Sequence, residues 1–471
     1  MAGPRVFTLL LVLTIFAGCA TQSGRSLRMT TVHVENHTLE YVALVLTFQV
    51  GAAHDPKGKE GLANLAANML LRGTSSHSRE ALADELDFIG TSIGINVGRE
   101  TTQLFVDCAT RNLPKLIDLL EEVLVDSTFP KDEFEKLQRQ TVAELSEMRD
   151  SDGDVARLFF SELIFEGHPY AHPTQGYEST VAAVTRDEAE EFYRHYFTRT
   201  DVLVGIAGDV AADAVPGIRR QLLAKLPAGR NTPVTPAVPA SGPGLRVLLV
   251  TRPESTQAQV AIGQTALRGD SPDLFPATVA VTGFGGTFTS VLVREIREVR
   301  GWSYGVGAAL VPGRHTGLFK VSYAPSTQDV VPAIELTGEL LRDLAGKGLA
   351  EEHIKFAQGY LSSQYPFMLD TPHKRLAMAM DVVLANKPDD YVERYVDYVG
   401  GVTVEEARRV VADLLRPDDL AIVVVGDSAL AKGLAGLPGV VSFRQVSATW
   451  EGPLPVATEP ADRGPAGGPA K

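Results

Sequence analysis

The sequence has no basic surplus. Its formal net charge is −14, and without an excess of Lys and Arg nothing neutralises phosphates, which excludes nucleic-acid binding and electrostatic attachment to anionic membranes. Long apolar runs are scarce as well. Arg5 precedes a mostly apolar stretch of twelve residues, Val6 to Ala17, which suits a signal-peptide core and is short for a membrane-spanning helix. Cysteine is nearly missing, with only Cys19 and Cys108 present. What remains is 44% hydrophobic and 22% charged, the balance of a soluble globular protein with room for large cores.

The apolar run ends in Ile15-Phe16-Ala17-Gly18-Cys19. This resembles a bacterial lipobox, in which small residues precede a Cys that becomes the lipidated first residue, although Phe16 is bulkier than the usual Leu. Ala20, rather than Asp, follows the Cys and suggests outer-membrane sorting by analogy. The alternative is a cleaved signal with an incidental Cys. With Cys19 lipidated, Cys108 in the strand-like TTQLFVDCAT has no disulfide partner and reads as a buried apolar residue.

The body of the chain repeats itself. Val184-Thr185-Arg186-Asp187-Glu188-Ala189 returns 218 positions later as Val402-Thr403-Val404-Glu405-Glu406-Ala407. Thr185 with Glu188, and Thr403 with Glu406, form capping boxes that open helices. Each helix leads into an apolar strand closing on Gly-Asp, at Asp209 and at Asp427, and the offset is again 218. That period far exceeds solenoid repeats and indicates duplication of whole domains. Pro227 to Gly244 reads as a Pro-rich linker and Ser447 to Lys471 as a disordered tail. Leu39 to Val50 and Thr101 to Thr110 read as strands, and Leu113 to Val125, Lys131 to Met148 and Val155 to Phe165 as amphipathic helices. The expectation is an α+β protein in which helices pack on one face of a largely antiparallel sheet.

Gly58 to Thr74 reads GKEGLANLAANMLLRGT. Its apolar Leu62, Leu65, Ala66, Met69 and Leu70 predict a helix with one buried stripe and a stop near Gly73. Asn64, Ala67 and Asn68, at i, i+3 and i+4, share a face. This stretch resembles the active-site helix of the pitrilysin/insulinase family of zinc peptidases, whose frame is G-L-A-H-x-x-E-H-M-L-x-x-G-T. There the two His ligate zinc and the Glu activates water. Asn64, Ala67 and Asn68 stand where that family has His, Glu and His. Neutral amides are poor zinc ligands beside imidazole, and Ala67 accepts no proton. For the third ligand, a Glu, the resemblance points to Glu144, 76 residues after Asn68. The expectation is no metal in this chain. Histidines 33, 37, 54, 77, 168, 172 and 195 give no alternative site by spacing.

In the second half, GFGGTFTSVLVREIREVRGWSYGVGA, Gly283 to Ala308, resembles the family's C-terminal signature, a Gly-rich turn, a helix, then R-E-x-R-G-x-x-Y. Arg297 and Tyr304 match the pair that in the family binds substrate. A guanidinium fork and a phenol can take a peptide carboxylate or carbonyl, and Gly283, Gly285 and Gly286 would let a backbone approach. Alternatively Arg297 pairs with Glu298 and Tyr304 fills a strand, or Arg294 or Arg300 takes the role.

The resemblance covers about Val32 to Val440 and implies two homologous domains arranged as a clam shell of the mitochondrial-processing-peptidase type. The expected order is signal peptide 1–18, lipidated tether 19–31, domain 32–226, linker 227–244, domain 245–446 and tail 447–471. The implied role is the non-catalytic, substrate-binding subunit of a heterodimeric zinc peptidase in the bacterial cell envelope. An H-x-x-E-H-bearing chain would be its partner, with zinc in that partner and none here, and peptides its substrates. A stand-alone periplasmic peptide-binding or scaffold protein, and a peptidase with an unorthodox metal site on Asn64, Asn68 and Glu144, are the alternatives.

Overall fold

The computed structural model describes residues 30–200, 202–229, 234, 242–452 and 454–455. The expected signal peptide, Cys19, nearly all of the tether, most of the linker and the end of the tail lie outside the described residues.

The first half forms a sheet of β1 (Thr31–Glu35), β2 (Tyr41–Phe48), β3 (Gly94–Val97), β4 (Thr102–Ala109) and β5 (Leu203–Gly208), in the order β1-β5-β2-β4-β3. The second forms a sheet of β6 (Leu245–Thr251), β7 (Gln259–Ala266), β8 (Val306–Val311), β9 (Gly317–Tyr323), β10 (Ala421–Gly426) and β11 (Val440–Ser447), in the order β11-β6-β10-β7-β9-β8. Without β11 the two orders coincide strand for strand, the structural counterpart of the repeated sequence. Of these strand pairs, among the described residues, β1/β5, β6/β10 and β6/β11 are parallel and the rest antiparallel. The two sheet-and-helix domains make the expected α+β clam-shell fold.

Helices Leu113–Val125 and Lys131–Met148 form where periodicity predicts them and bury their stripes in the first core. Cys108 is in that core too, 2% exposed, and burial pushes its thiol up to about 11. Both capping boxes are present: Glu188 Oε2 accepts the Thr185 N–H at 2.8 Å and Glu406 Oε2 that of Thr403 at 2.9 Å. A matching device went unread in the sequence. Gln138 Nε2 donates to the carbonyls of Val181, Ala182 and Val184, and Gln358 Nε2 to those of Val399, Gly400 and Val402. Each glutamine thus gathers three carbonyls around a helix end, where intrahelical partners run out.

Each sheet is covered on its second face by one helix from the other half. Asp152–Ile164 lays Val155, Phe159, Phe160 and Leu163 on β6, β7 and β10, and Pro372–Leu384 lays Leu376, Ala379, Met380 and Val383 on β1, β2 and β5. The exchange explains why β5 and β10 are apolar at consecutive positions: both faces of each are buried. It also sets two glycines. A Cβ on Gly205 would lie 2.4 Å from Met380 Sδ, and one on Gly263 would lie 2.9 Å from Phe160 Cζ and 2.0 Å from the Phe319 carbonyl oxygen. The exchanged helix begins earlier than its apolar stripe because Ser151 Oγ caps it.

The segment after β11 departs from the expected tail. Ser447 ends that strand, and the chain then docks on the first half. Arg149 donates to the Ala448 carbonyl at 3.0 Å and pairs with Glu451 and Glu178, both at 2.8 Å. The Glu451 carboxylate also accepts the N–H groups of Glu178 and Ser179, at the start of helix Glu178–Ala183. Composition suggested disorder from Ser447; a short strap held by charge-assisted bonds is found instead.

Candidate functional site

The helix carrying Asn64, Ala67 and Asn68 spans Leu62–Met69. It stops short of Gly73 because its last turn tightens, with the Leu70 N–H bonding to the Ala67 carbonyl at 3.2 Å and that of Arg72 to Met69 at 3.0 Å. Asp55 caps its start, accepting the N–H groups of Gly61 at 2.8 Å and Ala63 at 2.7 Å. Burial pushes the Asp55 carboxyl up, to about 8, against the lowering effect of those two bonds. Sequence reading passed over this residue, since six positions separate Asp55 from Gly61 and no local motif links them.

These groups do not fit zinc. Asn68 Nδ2 donates to the Asn64 backbone carbonyl at 2.8 Å and to Asn64 Oδ1 at 3.1 Å, so the two amides close on each other. Ala67 is completely buried between them. Glu144, exposed on helix Lys131–Met148, accepts a bond from Gln140 at 2.9 Å, and Gln140 in turn accepts one from Arg72. Zinc prefers imidazole or thiolate, and no group of three or more His, Cys, Asp or Glu able to hold a metal is found among the described residues.

The histidines are engaged singly. His33 bonds to the Val210 carbonyl at 2.9 Å, His77 to Glu122 at 2.8 Å and His172 to the Pro173 carbonyl at 3.0 Å. His37 bridges Glu35 at 2.8 Å and Asp209 at 2.6 Å, contacts that raise its pKa. His168 accepts the Tyr170 N–H, and His54 and His195 meet the Tyr196 ring edge-on.

In the second half, the Gly-rich turn and the following helix both contain wide turns, at Thr282–Gly286 and Arg294–Val299. Such turns interrupt helices at functional sites more often than elsewhere. Arg297 lies in the second of them. Its guanidinium is 4.5 Å from the centre of the Tyr304 ring and 5.1 Å from that of Phe288. Tyr304 is 83% exposed and Phe288 74%. Arg297 makes no ion pair among the described residues, whereas Arg294 takes Glu295 at 3.7 Å and Arg300 stacks on Trp302. The pairing with Glu298 is not formed, and Tyr304 lies outside β8 rather than filling a strand. The structure therefore brings Arg297 and Tyr304 together with Phe288, which no local pattern singles out. Aromatic faces hold the guanidinium while its N–H fork stays available.

A cleft of about 380 Å³ opens beside Phe288, lined by the Gly285–Thr287 turn, β8 and Tyr360. The glycines permit close approach to the chain's own elements. A Cβ on Gly285 would meet that of Ala308 at 2.5 Å, and one on Gly283 the His353 carbonyl oxygen at 3.0 Å. Their freedom is thus used in packing the turn against β8 and helix Glu351–Gln364.

Comparison with known proteins agrees with this geometry. The profile described as "Insulinase (Peptidase family M16)" matches residues 30–177, and "Peptidase M16 inactive domain" matches residues 183–361. An uncharacterized zinc protease of Mycobacterium tuberculosis is 27% identical over 375 residues, covering 78% of this chain and 84% of that relative. One of Bacillus subtilis is 19% identical over 394 residues, 83% of this chain and 95% of that relative. Among solved structures, a peptidase M16 inactive domain from Pseudomonas fluorescens superposes with a TM-score of 0.78 at 22% identity, covering 84% of this chain and 96% of that one. A protease from Helicobacter pylori gives 0.75 at 16%, covering 86% and 98%. With both profiles in sequence order and the clam-shell fold in place, the chain belongs to the insulinase family of peptidases, M16.

Proposed function

We propose that this protein is the non-catalytic, substrate-binding subunit of a two-chain peptidase of its family in the bacterial cell envelope. One contrast carries the reading. The positions that would hold zinc and activate water are two self-bonded amides and a buried Ala67, while Arg297 stands beside two exposed rings with no acid partner among the described residues. A guanidinium and phenol placed in this way can orient a peptide carbonyl or carboxylate, and orientation raises the rate of chemistry done by groups on another chain. The partner would carry H-x-x-E-H and the zinc. The lipobox-like Ile15–Cys19 supports a lipid anchor on the periplasmic side, in the outer membrane.

The test is a mild-detergent purification of the tagged full-length protein from its native host. An equimolar co-purifying chain with H-x-x-E-H, zinc and chelator-sensitive peptidase activity supports the reading. Recovery of the protein alone, inert toward peptides but binding them, replaces it with a stand-alone peptide-binding protein. In the assembled pair, Arg297→Ala with Tyr304→Phe is expected to lower peptide kcat/KM by about tenfold or more while leaving co-purification intact. Unchanged kinetics remove both residues from substrate binding.

A further inference from the structure

The duplication allows the second faces of the two sheets to be matched position by position. Phe160 and Met380, 220 residues apart, each lie over a glycine, although on strands that are not counterparts, Gly263 in β7 and Gly205 in β5. In β4, Phe105 is in register with Val45 of β2 and Gly94 of β3. In β9, Lys320 is in register with Gly263 of β7 and Ala309 of β8. With the strand ends Gly208 and Gly426 as counterparts, Val45 matches Ala261 and Thr47 matches Gly263, so Ser322 takes the place of Phe105 and Lys320 that of Gln103, an ammonium where the first half has a neutral amide.

Lys320 has no acid partner among the described residues. Its Nζ lies 5.5 Å from the centre of the Phe160 ring, and its side chain lines the same cleft as Phe288, Thr287 and Ser322. Thr287 Oγ1 is buried there without a hydrogen-bond partner. Burial, with the charge of Arg157 nearby, holds the Lys320 ammonium below the usual lysine range. In a chain of net charge −14, a half-buried cation and an unsatisfied hydroxyl in one cleft call for an anionic acceptor from outside. The cleft runs along β8, an edge strand paired only with β9 among the described residues. Ala309, the register partner of Lys320, lies five positions after Tyr304, at most about 18 Å of extended chain.

We propose that Lys320 anchors a carboxylate of the bound peptide, within about five residues of the group held by Arg297 and Tyr304, so that this half selects acidic peptides. The inference rests on Arg297 and Tyr304 being the peptide-holding pair, and its test separates the two.

The purified full chain would be titrated with fluorescent decapeptides identical except for one Glu or Gln, the exchange placed at each position in turn. At one position the Glu peptide is expected to bind about tenfold tighter, the size of one charge-assisted hydrogen bond. Lys320→Gln should erase that preference without weakening the Gln peptide, and Lys320→Arg should keep it. Arg297→Ala should weaken both peptides and leave their ratio unchanged. Equal binding of Glu and Gln peptides, or a preference that survives Lys320→Gln, overturns the role of Lys320 and leaves the Arg297 reading standing. Failure of the wild-type protein to bind any peptide removes both.

Discussion

In the first half, the face of helix Leu62–Met69 is closed on itself, Asn68 bonded to Asn64 across a buried Ala67. In the second half, Arg297 stands between two exposed rings, one of which, Phe288, lines a cleft. Around these opposite surfaces the scaffolds match: the same order of five strands, the same capping box, the same glutamine over a helix end, an exchanged helix on each second face. The matched features are those that folding itself requires, since unsatisfied helix ends and steric overlap cost energy in either half. The surface groups carry no such requirement, and there the halves differ.

The exchanged helices offer the strongest way to break this symmetry. At Gly263 an added methyl meets the Phe319 carbonyl oxygen at 2.0 Å, and backbone cannot step aside. At Gly205 the nearest atoms are Met380 Sδ and Leu376 Cδ1, ends of flexible side chains. Gly263→Ala is therefore expected to cost more than about 3 kcal/mol and Gly205→Ala only about 1–2 kcal/mol, read as shifts in urea midpoint. Equal effects would mean that the backbone at Phe319 gives way as readily as the Met380 and Leu376 side chains.

A second experiment asks whether the first half can be given back what its frame suggests. Asn64→His, Ala67→Glu and Asn68→His together restore the motif letters. Ala67 is completely buried, so a carboxylate there must be desolvated. The triple variant is expected to lose about 2–4 kcal/mol of stability and to show no zinc-dependent peptide hydrolysis, measured by metal content and cleavage of a quenched peptide. Stoichiometric zinc with activity would mean that the site lacks only its ligands.

The exchanged helices also differ in one buried position. Glu162 corresponds to Val382, 220 residues on, and both are buried. The Glu162 carboxyl is pushed up to about 7 by burial; Tyr177 donates to one oxygen at 2.8 Å and the other has no partner. In the unfolded chain the group ionises near its usual 4.5. Between these values the folded protein binds the extra proton, so stability falls as pH rises from about 4.5 to about 7 and levels off above. The loss is at most about 3 kcal/mol. Glu162→Gln should flatten this slope, gaining stability at pH 8 and little at pH 4.5, in urea titrations at both. A slope unchanged by the substitution would assign it to other groups.

Much of this was legible in the sequence where one segment bears its own physics. Leu113–Val125 and Lys131–Met148 formed as their periodicity indicated, because an apolar stripe needs only a partner surface. The repeated Val-Thr motifs and Gly-Asp strand ends announced the duplication. That Asn64 and Asn68 share one helix face with Ala67 was legible from their spacing alone. What stayed hidden depends on residues far apart in the chain. Nothing local indicates that Asp152–Ile164 covers the other half's sheet, that Glu451 returns to Arg149, or that Phe288 stacks with Arg297. Lys320 is an unremarked strand lysine until register sets it opposite Ala309.

The smallest expected effect tests how far the two scaffolds are equivalent. Thr185 and Thr403 each complete a capping box, so Thr185→Ala and Thr403→Ala should each cost about 1 kcal/mol in urea unfolding. The halves differ one step further out. Lys59, in the loop before helix Leu62–Met69, pairs with Glu188 at 2.9 Å and donates to the Ala183 carbonyl at 2.7 Å, while Glu406 has no ion pair among the described residues. The first box therefore also ties down the loop before the Asn64 helix. Glu188→Gln should exceed Glu406→Gln by about 0.2–1 kcal/mol, the range of a partly exposed ion pair, and the excess should vanish in a Lys59→Met background. An excess that persists there would place the asymmetry in the boxes themselves rather than in the loop the first one holds.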